Sequence, residues 1–243
     1  LRARLKMARL QRIGGARLLA AAVVLTMAST VTSSARAEVA AADPIDAAMR
    51  ACLARSDMSS TAGQLQCMET ARFGWQAALN TAWQQLLAKL PPARHKPWED
   101  AQARWQASRD AQAPLLDAVF ATRQGTMYQL AEADMQLQPV RDRALALRSA
   151  VAGAATGAAA PVRPRPCSAD ALCEHATFDM NRYYRRLLAK MPARARPALV
   201  RAQRAWTAYL VAASAVTDES GRVDIIGARV ATLKRLSETV GSA

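Results

Sequence analysis

Between Thr61 and Leu90 the apolar residues Leu79, Trp83, Leu86, Leu87 and Leu90 recur at the three-and-four spacing of one helical face, and Pro91-Pro92 ends the run. Upstream, Asp43-Pro44 sets a capping side chain before a proline at the first helical position, which starts a shorter helix. Pro97 opens the next pattern, with Trp98, Ala101 and Trp105 in line, and another follows Gly125 to about Ser149. Beyond position 166 a shorter version of the plan predicts helices near 168–191, 197–215 and 222–240. Alternating strand patterns and hairpin dipeptides are essentially absent. The expected fold class is all-α: two tandem helical-hairpin units of about three helices each, with Trp83, Trp105, Tyr184 and Trp206 at the hairpin centres.

An internal repeat supports that division. Shifting the sequence by 101 places Leu79 to Trp105 on Met180 to Trp206 without a gap and gives nine identities in 27 positions. Chance in an alanine-rich chain gives about two or three. The identities include Asn80 with Asn181, Leu86-Leu87-Ala88-Lys89 with Leu187-Leu188-Ala189-Lys190, Gln102 with Gln203 and Trp105 with Trp206. The stretch 151–166 is made of small residues and prolines that fill no core, and reads as a linker. The expected units are 38–150 and 167–243.

Residues 1–37 read as a secretory signal. Arg2, Arg4, Lys6, Arg9, Arg12 and Arg17 precede a short apolar run from Leu18 to Met27, and Ala35-Arg36-Ala37 has the form of a cleavage site. Either Leu1 or Met7 is compatible with the start of that leader. The run is about half the length of a membrane span, no other segment is apolar enough to be one, and a lipid-anchoring cysteine is missing because the first cysteine is Cys52. A periplasmic or secreted protein is expected. Loss of the leader lowers the net charge from +14 to +7. The first unit balances 12 basic against 12 acidic residues, whereas residues 151–243 hold 14 against 7. The whole surplus lies in the second half. An even cysteine count in an oxidising compartment favours disulfides. Cys52, Cys67, Cys167 and Cys173 allow three pairings, of which the local one, Cys52 with Cys67 and Cys167 with Cys173, is preferred.

The run Leu79-Asn80-x-x-Trp83-x-x-Leu86-x-x-x-Leu90, then Ala101-Gln102-x-x-Trp105 and Arg109-Asp110, resembles the lysozyme inhibitor LprI N-terminal family. Gly125-Thr126-Met127 is similar to that family's glycine turn before a last helix. The likeness spans about Cys52 to Leu147 and, in the second unit, chiefly Met180 to Tyr209. It implies small exported helical domains, commonly disulfide-linked, with lysozyme as a protein partner. The chain departs from the pattern at Ser108, where tyrosine is usual, and at Leu210-Val211, where Arg-Asp would stand. It also lacks the cysteines of a second family bridge near Gln112 and Met135.

The chemistry-bearing residues point to binding rather than catalysis. Asn80, Trp83, Gln102, Trp105, Asn181, Tyr184, Gln203 and Trp206 are expected to be structural, the amides bonding across the hairpin beside buried aromatics. Arg109-Asp110 is expected to be a surface or hairpin-stabilising pair. His95 and His175 lie in different units, so no catalytic triad assembles locally, and no phosphate-binding glycine loop is present. Cys167, Cys173 and His175 make three irregularly spaced candidates for zinc, too few for a structural site. No cofactor, no metal and no enzymatic activity are expected. The sharper feature is a basic run, Arg182, Arg185, Arg186, Lys190, Arg194, Arg196, Arg201 and Arg204, on two consecutive helices. Arg182, Arg186 and Lys190 share a face through their spacing of four. It is a solvated face or a docking surface for an anionic envelope polymer, such as lipopolysaccharide or peptidoglycan, or an acidic protein. Export makes nucleic acid an improbable partner.

Overall fold

A computed structural model describes residues 43–156 and 165–241, among which there are seven α-helices and no strand. The helices are α1 (Pro44–Leu53), α2 (Thr61–Lys89), α3 (His95–Phe120), α4 (Thr126–Ala155), α5 (Ala171–Lys190), α6 (Arg196–Ala213) and α7 (Glu219–Thr239). The leader expected over 1–37 lies outside the described residues. Of the expected linker, 151–155 continue α4 and 157–164 lie outside the described residues.

Local chemistry fixes where the helices begin. The Asp43 side chain accepts from the Ile45 amide at 2.9 Å, and Pro44 needs no such acceptor. Ser60 caps α2 through Gly63, and a side chain at Gly63 would press against the Met58 backbone at 2.7 Å. Gly125 precedes α4 with φ of 110°, a conformation that side chains disfavour. Asp170 and Asp218 cap α5 and α7. The turns after α2 and α5 match residue for residue at the offset of 101. Both helices end at a lysine, each is followed by a short 3-10 turn, and α3 and α6 start at equivalent positions.

Packing partners differ from the expected hairpins of consecutive helices. α2 lies along α4, not α3, and α5 lies along α7, not α6. α3 and α6, which occupy equivalent places in the two halves, pack on each other. Each half thus pairs its first and last long helices, and the middle helices join the halves. Helical periodicity specifies which face is buried but not which element covers it.

The buried face of α2 is also shifted from the one expected. It runs through Cys67, Ala71, Trp75, Leu79, Ala82 and Leu86, and Leu90 follows at the helix end. Trp75 is fully enclosed, whereas Trp83 and Leu87 are only partly buried. Trp105 and Trp206 are buried and Tyr184 is half-buried. A single apolar core runs through both halves. The preferred cysteine pairing holds: Cys52–Cys67 ties α1 to α2, and Cys167–Cys173 ties the approach of α5 to its first turn. The second pair is therefore closed to zinc.

Loop-closure entropy ranks the two bridges. Their sequence separations are 15 and 6 residues, so replacing Cys52 and Cys67 by alanine is expected to cost about 3 kcal/mol and replacing Cys167 and Cys173 about 2 kcal/mol. Chemical denaturation of the two double variants measures the order.

Candidate functional site

Three polar constellations rise from this framework. The first holds α1 in place. Asp46 is buried and accepts from Trp75 Nε1 at 3.1 Å and from Arg141 Nε and Nη2 at 2.9 and 2.7 Å. Arg141 and Arg148 of α4 lie over the Trp75 ring at 5.5 and 5.2 Å, and Arg148 pairs with Asp43. The Arg141 guanidinium, more than any other group, holds the Asp46 carboxyl below its ordinary range.

The second constellation occurs twice and explains the glutamine–tryptophan motif. Arg143 of α4 donates through Nε to Gln102 at 2.9 Å and lies 5.9 Å from the Trp105 ring. Arg229 of α7 donates through Nε to Gln203 at 3.0 Å and lies 5.8 Å from the Trp206 ring. Both arginines are buried, and burial lowers the pKa of each, that of Arg229 to about 10. Both also cross between halves. Arg143 lies 5.8 Å from the ring of Tyr209 on α6, and Arg229 reaches Gln112 of α3 at 2.6 Å. The low-numbered end of each middle helix thus meets the high-numbered end of the other, so α3 and α6 run antiparallel. Further links are Arg235 with Asp134, Arg123 with the Thr239 carbonyl, and the Gly241 amide with Thr122.

These arginines escaped the sequence reading because a lone arginine on a helix defaults to the surface. A signal existed. At an offset of 86, not 101, Val140, Arg143 and Leu147 fall on Ile226, Arg229 and Leu233, all six of them buried. Of the other motif residues, Asn80 is exposed and accepts from Gln76, and Asn181 is exposed. Arg109 pairs weakly with Asp110 but reaches Gln76 of α2 at 2.8 Å, so it links α3 to α2. His95 sits at the first residue of α3 against the Leu90 carbonyl, and His175 is exposed beside Asp179. Among the described residues no group of three potential ligands is arranged to hold a metal.

The third constellation is on the surface of the first half. Two adjoining hollows of about 490 and 520 Å³ share Gln129 and Glu132 of α4. One is walled by Leu65, Gln66 and Glu69 of α2 with Gln136, the other by Asp117, Gln124 and Tyr128 at the turn from α3 to α4. Desolvation raises the pKa of Glu132, and the neighbouring Asp117 carboxylate raises it further by repulsion and hydrogen bonding. Glu69 is held below its ordinary range by Arg72. The basic residues of the second half lie elsewhere: Arg182, Arg185, Arg186, Arg194, Arg196, Arg201 and Arg204 are exposed, whereas Lys190 also donates to the Ser237 carbonyl near the end of α7.

Helices α2 and α3, most of α4, the bridge from Cys52 to Cys67 and the Gln102–Trp105–Arg143 cluster all fall inside one stretch that matches a known family model, lysozyme inhibitor LprI, over residues 52–147. The first half is an LprI-family domain. A comparison with curated proteins found no match. Among solved structures, an uncharacterized protein from Burkholderia thailandensis is 56% identical, with a TM-score of 0.81, and the alignment covers 83% of this chain and all of that one. That coverage is far longer than the LprI segment alone, so the relative shares the second half as well.

Asp46→Asn is expected to destabilise the LprI domain by about 2–3 kcal/mol, less than for a fully enclosed pair because Arg141 is partly exposed. The sign of the pH effect follows from the lowered pKa. The native pair contributes above the unfolded value of 3.8 and loses that contribution as pH falls through the lower folded value. Thermal melts from pH 7 to 2 therefore show a shallower acid limb in the variant than in the native chain.

Proposed function

We propose that this chain is an exported, non-enzymatic binding protein of the cell envelope that inhibits a lysozyme, and that its LprI domain makes the contact. The observation that carries this reading is the match over residues 52–147 to a family described as a lysozyme inhibitor. The charge layout supports it. A basic lysozyme is repelled by the exposed arginines of the second half but meets carboxylates and amides at Glu69, Asp117, Glu132, Gln66 and Gln129. The paired disulfides fit an oxidising compartment. No helix among the described residues is long and apolar enough to cross a membrane.

The second half fits the same reading as a divergent copy of the LprI unit, turned so that its middle helix covers that of the first. Its repeated arginine–glutamine–tryptophan cluster and its matching turns support the duplication. In this arrangement the second copy supplies part of the core, and the first keeps its outer face free.

One observation favours a second reading, in which the protein grips an anionic envelope polymer. Arg182, Arg185, Arg186, Arg201 and Arg204 are all exposed on α5 and α6. The two readings separate cleanly in an assay of cell-wall lysis by lysozyme with the full chain added in micromolar excess. Glu69→Gln with Asp117→Asn and Glu132→Gln is expected to weaken inhibition about tenfold or more, with inhibition by the native chain also weakening in salt. Arg182→Ala with Arg185→Ala and Arg186→Ala is expected to leave inhibition intact. Undiminished lysis by lysozyme in the presence of the native chain would remove the inhibitor reading.

A further inference from the structure

The segment 180–217, which runs from the middle of α5 through α6, holds eight basic residues and no acidic one. In the first half Arg55, Arg72 and Lys96 each pair with a carboxylate, of Asp57, Glu69 and Asp100. Among the described residues none of the seven arginines in 180–217 has such a partner. Arg182 lies over the Tyr183 ring at 5.8 Å and Arg196 donates to the Met191 carbonyl at 3.2 Å, contacts that leave both charges unbalanced.

Apolar side chains stand among these charges. On α5, Phe178, Arg182, Arg185 and Arg186 are all exposed and fall within about a third of the helix circumference. Phe178 keeps 60% of its surface in water, with Arg182 one turn further on. Met180 and Leu187, on the other side of α5, are buried in the core. On α6, Val200, Arg204 and Val211 lie in one line at spacings of four and seven, and Val211 is 70% exposed. Each helix thus turns its main apolar stripe inward and a mixed arc of arginine and apolar residues outward. A solvated face gains nothing from such apolar positions, and a hydrated polymer would neutralise the arginines while leaving Phe178 in water. A bilayer surface offers both chemistries together. Its phosphates accept paired guanidinium hydrogen bonds, and hydrocarbon lies just beneath them.

We propose that the outward face of α5 docks the folded protein on a membrane surface rich in anionic phospholipid, with Arg182, Arg185 and Arg186 on the lipid phosphates and Phe178 at the hydrocarbon boundary. The unpaired arginines of α6 add to the attracting field. The association is peripheral, since α5 keeps its buried side in the core and no helix among the described residues is long and apolar enough to cross a membrane. These are the arginines of the second reading above, committed to lipid, and the docking holds whichever partner the LprI domain takes.

The test is co-sedimentation of the full chain with vesicles of phosphatidylcholine, alone or mixed with phosphatidylglycerol. Binding to the mixed vesicles only is expected, and it should weaken as salt rises. Arg182→Ala with Arg185→Ala and Arg186→Ala is expected to lower the partition coefficient about a hundredfold. Phe178→Ser is expected to lower it about fivefold at low and high salt alike. All four side chains are exposed, so both variants should keep the native melting temperature. No binding to the mixed vesicles, or equal binding to the neutral ones, would overturn the proposal. So would a Phe178→Ser variant that binds as the native chain does, which would return the arginines to a soluble anionic polymer.

Discussion

The antiparallel contact of α3 with α6 is the constraint on which the rest of this molecule depends. Within each half the first and last long helices already pair along their length, α2 with α4 and α5 with α7. That leaves one face of each middle helix with nothing from its own half to cover it. Ala101, Trp105, Leu115 and Leu116 on one side and Leu199, Ala202, Trp206 and Tyr209 on the other are buried because the two middle helices shield each other. Burial of several large side chains contributes on the order of 1.5–3 kcal/mol each. The seam therefore joins the two halves into one core.

Polar groups at the seam give this apolar contact its register. Arg143 and Arg229 each bind a glutamine of their own half and then reach across, to Tyr209 and to Gln112. A slip of one turn would take Tyr209 from Arg143 and Gln112 from Arg229, leaving each guanidinium only the glutamine of its own half in a dry interior. The same logic, with a carboxylate present, operates at Asp46, where Arg141, Arg148 and Trp75 fix the short first helix across α2 and α4. The outer face of the LprI domain is framed by α2, α4 and the glycine turn at Gly125.

Much of this was legible beforehand, and the failures have physical causes. Helix positions followed from prolines, caps and spacing, so the turn after Lys89 and its counterpart after Lys190 fall where the repeat places them. The local disulfides followed from compartment and proximity. Helix pairing was not legible, because a stripe of apolar residues is silent about its partner, and hairpins of consecutive helices are merely the commonest solution. Trp75 was passed over for Trp83 because the glutamine and alanine residues around it blur the stripe, yet Trp75 is fully enclosed with a buried acid for its indole nitrogen and Trp83 is only partly buried. The motif glutamines were expected to be structural; the arginines that donate to them, 41 and 26 residues downstream, give no local cue.

Both disulfides lie within a half, so the seam and not a covalent bond must hold the halves together once the connecting stretch is cut. The test is to place a specific protease site within residues 157–164 and cleave the chain there. Size-exclusion chromatography and calorimetry of the cleaved chain should show one species of unchanged size that unfolds in a single transition. Halves that separate on the column, or that melt independently, would contradict the account.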